Sequence, residues 1–331
     1  MKQVKIRRWQ LLRWRCHREV ADLREVEVVA VGKRAFVDQA ELEEVLFPPT
    51  LSAIKTAAFA GCPHLHRVVF DVQNSVGLAA NAFADCGYLR EISGSEMLSV
   101  IGTGAFARCR NLRVIPFGRD LRRIGAGAFA GCSSLEALKI PSCVETVGEG
   151  AFSDCCELSC VELEDGLTVL GIGMFRRAIA LEVPAFPESI REIPSECFRG
   201  CSAFDVLRLP GSVRSLGTGA FRDCRRLSEV TAELGLAEIG AFAFLGCRDL
   251  AAVRLPHSVK RIGFGAFGFG WSRKKIRILA DNEYMLKKLR RMLLFCGSLG
   301  RVSVEFDGKT LSERRRERHR KSLDSAPTHI S

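Results

Sequence analysis

Short alternating stretches such as Leu135-Glu-Ala-Leu138-Lys-Ile140-Pro141 punctuate the chain at regular intervals. Leu138 and Ile140 stand two residues apart, so both face one side of a strand while Lys139 faces the other. The proline that follows many of these stretches, as at Pro48, Pro141, Pro210 and Pro256, has no N–H to donate to a ladder and ends the strand. A second apolar segment, such as Leu121-Arg-Arg-Ile124-Gly125, then carries the chain back, and its Gly permits a tight bend. The small-residue run Gly-x-Gly-Ala-Phe after it predicts a corner that turns the Phe ring inward.

This unit repeats. Phe36, Phe59, Phe83, Phe106, Phe129, Phe152, Phe175, Phe198, Phe221, Phe244 and Phe267 follow one another at steps of 23 residues, with a single step of 24 between Phe59 and Phe83. Five residues before each stands an aliphatic side chain, from Val31 to Ile262, and six residues after it a leucine in nine of the eleven copies. Alanine precedes the Phe except at Met174 and Cys197, and cysteine follows three residues later in eight copies. A period in the twenties means stacked supersecondary units, each unable to bury its apolar side alone. The expected fold is a repeat solenoid, mainly β, of about eleven rungs, with like residues of successive rungs on top of one another. Paired strands lie about 4.8 Å apart, so the stack should run roughly 50 Å.

The segment L-x-x-L-x-[IL]-P followed by V-x-x-I-G-x-G-A-F-x-x-C resembles the BspA-like class of leucine-rich repeats over about residues 28–278. The resemblance implies a right-handed coil and a role as a surface antigen, adhesin or protein-binding module. Gln39, Ala178 and Gly270 depart from the pattern by replacing its Cys.

Around the repeats, residues 1–22 read as a basic N-terminal segment with helical potential, covering the first rung, and residues 23–278 hold the repeats. Residues 279–311 read as a C-terminal cap: Asn282 to Phe295 has the pattern of an amphipathic helix and Arg301 to Phe306 alternates like a strand. The tail 312–331 is too polar to pack and is expected to be disordered. Charge follows this division. Residues 1–18 carry seven basic and no acidic side chains, whereas 19–272 carry 26 basic against 31 acidic, so the net charge of +11 belongs to the ends.

No stretch approaches the ~20 apolar residues of a membrane span, and no apolar core of a secretory leader stands near the start. An intracellular protein is therefore expected, with the cell surface or an organelle as the alternatives. The repeat position of most of the fourteen cysteines predicts a buried file of reduced thiols rather than a disulfide framework.

Candidate chemistry is sparse. Gly263-Phe-Gly265-Ala-Phe-Gly268 matches a dinucleotide fingerprint, but the same Gly-x-Gly-Ala-Phe recurs at Gly102, Gly125, Gly148 and Gly217, so the repeat explains it. His64 and His66 flank inward Leu65 on one face, yet two ligands do not make a metal site. No nucleophile or acid–base set stands out, so no enzyme, no cofactor and no metal are expected. Function is then expected on the exposed strand positions, eight and ten residues after each Phe. The last four rungs place Arg208, Arg254, Lys275 and Arg277 there, a docking strip for an acidic protein partner. The alternative is a peripheral binder of nucleic acid or an anionic membrane through the basic termini. A monomer is expected.

Overall fold

The computed structural model describes residues 4–6, 19–24, 28–268, 276–280, 282–295, 302–306 and 309–310. It is a solenoid of parallel strands in two files. The long file runs through four-residue strands such as Ala137–Ile140 and Cys160–Leu163, paired in register so that Ala137 meets Cys160 and Ile140 meets Leu163. Their side chains alternate exposed and buried, as the one-sided apolar pattern requires. The short file consists of two-residue strands such as Arg123–Ile124 and Thr146–Val147, again parallel.

A third ladder runs along the Phe corner. The amides of Gly127, Phe129 and Gly131 donate to the carbonyls of Glu149, Ala151 and Ser153 in the next rung, each at 2.8 Å. The chain keeps those three donors aligned by entering the left-handed region two residues before and two residues after the Phe. Gly127 (φ 56°) and Gly131 (φ 74°) do this without a side-chain clash, and Asn81, Asp85 and Asp223 take the same conformation in other rungs. At the glycine that opens the corner, proximity decides instead: a Cβ on Gly148 would overlap the backbone nitrogen of Ala126.

Inside, the phenylalanines form one unbroken stack. Ring centroids of successive rungs lie 4.8 to 5.8 Å apart, and the planes diverge by no more than 18°. This offset-parallel arrangement suits the ring quadrupoles. Rings from Phe59 to Phe244 are essentially inaccessible. The inward leucines and the aliphatic residue of the short file join them in one continuous core.

The coil extends past the Phe ladder at both ends. Val20–Asp22 pairs with Glu44–Phe47, and Val4–Ile6 pairs with Val28–Val31, so the described parts of the N-terminal segment are strands and not the helix its composition suggested. Added strands satisfy the outer edges of both sheets, which a helix laid over them would leave unpaired. At the other end, Ile276–Ala280 and Val302–Phe306 extend the long file, and Lys309–Thr310 turns back antiparallel to close it. The helix Glu283–Phe295 lies between them. The Asn282 side chain accepts the Met285 amide at 2.8 Å, capping the first turn, and Met285, Leu289 and Leu293 repeat every four residues on its buried side. The tail 312–331 lies outside the described residues.

Candidate functional site: the long-strand face

The thiols have a structural task. Cys109 Sγ donates to the Phe83 carbonyl at 3.2 Å, Cys132 to that of Phe106 at 3.1 Å and Cys224 to that of Phe198 at 3.2 Å. The same bond, always to the Phe of the preceding rung, recurs at Cys62, Cys86, Cys155, Cys201 and Cys247. A thiol is small enough for the core and still offers a donor to a buried carbonyl. Burial pushes the Cys132 thiol up to about 12, from an ordinary 9.0, and raises Cys109 and Cys224 well above theirs. Cys160 instead sits exposed on the long-strand face. Alkylation in native buffer, followed by mass spectrometry, should therefore label Cys160 before Cys109, Cys132 or Cys224. Equal labelling of all four would contradict this assignment.

The paired histidines do not converge on a common ligand position. His66 Nε2 lies 3.6 Å from Glu44, while His64 faces the ring of Tyr88. No group of three metal-ligating side chains occurs among the described residues. The stretch Gly263 to Gly268 forms the last Phe corner, with Gly265 in the left-handed region as at the other rungs. A groove of about 500 Å³ beside the C-terminal helix is lined by Leu216, Ile239, Ile262, Phe264 and Met292. Its charged Glu238 and Arg261 pair with each other.

The long-strand face is the extended surface. Its early rungs neutralise themselves: Arg67 reaches both Glu44 (3.7 Å) and Glu91 (3.1 Å), and farther along Lys139 meets Glu162 at 2.6 Å. Toward the C-terminal end the balance changes. Arg208 is exposed, and among the described residues no acid pairs with it. Arg254 is also exposed and lies 3.4 Å from Glu229. Both belong to one file, with Thr231 between them, because Arg208 is in register with Thr231 and Thr231 with Arg254. Arg277 is exposed but opposite Ala252, in the neighbouring file, since two extra residues after Phe267 shift the register. The predicted strip is thus split between two files. Lys275 lies outside the described residues.

These features define a leucine-rich-repeat solenoid. The chain belongs to the BspA-type family: the model of a BspA type leucine rich repeat region of six copies matches residues 19–132, 76–205 and 191–305. No curated protein matches it significantly in sequence. Among solved structures it is similar to the pneumococcal vaccine antigen PcpA, with a TM-score of 0.52 and 15% identity over 88% of this chain and 79% of that one. It is also similar to a leucine rich cell surface protein of Faecalibacterium prausnitzii (TM-score 0.49, 21% identity, 87% and 85% covered). A leucine-rich repeat protein of Bacteroides ovatus matches with a TM-score of 0.42 and 21% identity over 87% and 91% of the two chains. At such identities the likeness shows the fold alone. No helix among the described residues is long and apolar enough to cross a membrane. The expected intracellular placement finds no support in the descriptions of these neighbours.

Proposed function

We propose that the protein is a non-catalytic interaction module that binds an acidic protein partner on the long-strand face, toward its C-terminal rungs. The observation that carries this reading is the exposed, acid-free Arg208 in the same file as Arg254, on a face whose earlier cations are matched by carboxylates. An unmatched cation such as Arg208, on a rigid sheet, attracts and orients an acidic surface with little reorganisation. The basic termini are a separate source of attraction for polyanions, so the test must remove one of them. Poly-glutamate is the probe, titrated against the chain with and without residues 312–331. The truncated chain should keep most of its affinity, and Arg208→Glu with Arg254→Glu should weaken it about tenfold. Full affinity after the double charge reversal would exclude this face. Loss of binding with the tail alone, with a steep salt dependence, would place the site in the basic terminus.

A further inference from the structure

The rung that carries Phe175 is bonded unlike the others. Between Leu163 and Glu192 the chain forms no strand in either file, a gap longer than one full repeat. The long file stops at Cys160–Leu163 and resumes at Val206–Leu209, and the short file stops at Thr146–Val147 and resumes at Glu192–Ile193. In the long file the cause is covalent, because Pro184 stands at an inward strand position and has no N–H to donate. The rung with Pro116 also lacks its long strand, but its short strands remain paired through Val100, Arg123 and Thr146. Among the described residues, only around Phe175 are both sides open at once.

Other irregularities fall in the same place. Ala178 replaces the thiol that elsewhere bonds the preceding Phe carbonyl, and Met174 fills the alanine position. The step from Phe152 to Phe175 is the widest and most tilted of the stack, at 5.8 Å and 18°. What still crosses the rung is the corner ladder, through the Phe152 and Phe175 amides, with isolated bonds such as the Glu182 amide to the Ser159 carbonyl at 3.0 Å and the Cys201 thiol to the Phe175 carbonyl, and ring contacts such as Phe186 against Phe198. In a solenoid, stability is approximately a sum of rung terms and nearest-neighbour interfaces, so the cooperativity breaks where the interface is poorest.

We propose that the Phe175 rung is a built-in breakpoint, dividing the solenoid into two cooperative units, 28–163 and 190–280. One unit opens while the other stays folded, and a partner that spans Cys160 and Val206 on the long-strand face is sensitive to that opening.

The geometry supplies its own test, because Cys160 is exposed and its neighbours in the file stand one rung away on either side. Val183→Cys places a second thiol in the broken rung, beside Cys160 because the Glu182 amide bonds the Ser159 carbonyl, and Ala137→Cys places one within the first unit, where Ala137 is directly in register with Cys160. The two disulfides formed with diamide would close loops of equal length, so loop entropy alone cannot distinguish them. Urea unfolding of the full chain, read by pulsed hydrogen exchange and mass spectrometry, should show peptides of the two units exchanging in separate steps about 1 M apart. The oxidised Ala137→Cys variant should keep the same separation, whereas the oxidised Val183→Cys variant, which ties the broken rung to the first unit, should narrow it. Pro184→Val, which restores a strand amide without any crosslink, should narrow the separation. A single step shared by both units in the unmodified chain would overturn the proposal. So would a separation left unchanged by both the Val183→Cys crosslink and Pro184→Val.

Discussion

Raising the pH from 8 to 11 should unfold this protein steeply, with little change in stability below pH 8. The cause is the thiol file. Burial raises Cys109, Cys132, Cys155, Cys197, Cys201, Cys224 and Cys247, and Cys86 is raised chiefly by its bond with Cys62 and then by burial. In the unfolded chain each thiol loses its proton near the ordinary value of 9.0, whereas the folded chain holds it, in Cys132 up to about 12. The unfolded state therefore binds fewer protons above pH 9, and stability falls as pH rises until the folded thiols themselves titrate. Each thiol contributes up to about 1.4 kcal/mol per pH unit in that window, so several together exceed the net stability of an ordinary domain. Urea midpoints measured from pH 7 to 11 should be flat and then drop. Cys132→Ala should lower stability at neutral pH but also reduce the alkaline slope by one thiol's share. An alkaline slope unchanged in Cys109→Ala, Cys132→Ala and Cys224→Ala would contradict this explanation.

Much of the core could be read from the chain because stacking turns a repeat position into a spatial file. The phenylalanines, the leucines six residues later and the Cys position all lie inside, as an apolar residue at a fixed phase must when every rung covers the next. Backbone bonding was harder to read. The corner ladder depends on left-handed residues two before and two after the Phe, and only the scatter of Gly, Asn and Asp there hints at it. Pro141 and Pro210 end strands as their position suggested, but Pro184 falls inside one and deletes it, an effect that depends on register.

The ends depart for a related reason. Val20–Asp22 extends the coil ahead of Phe36 because a sheet edge accepts any strand that can present its backbone, whatever its match to the repeat. Arg277 shows the cost of counting from the nearest Phe. Two inserted residues move it into the other exposed file, and the site prediction built on constant spacing loses its alignment there.

Successive rungs share one stacked core, and the Phe ladder is where that sharing can be measured. Phe129 is inaccessible to solvent and lies between Phe106 and Phe152, at 5.2 Å from each. Phe36 is 6% exposed and, among the described residues, stacks on Phe59 alone. Removing a buried ring costs its transfer free energy and leaves a cavity that the rigid neighbouring rungs cannot close. Urea unfolding of Phe129→Ala and Phe36→Ala is the decisive measurement, followed through the transition of the N-terminal half. Phe129→Ala should lose about 3–5 kcal/mol. Phe36→Ala should lose about half as much, because an end rung has one stacking partner and frays. Equal losses at the two positions would mean that the rings do not share a stack.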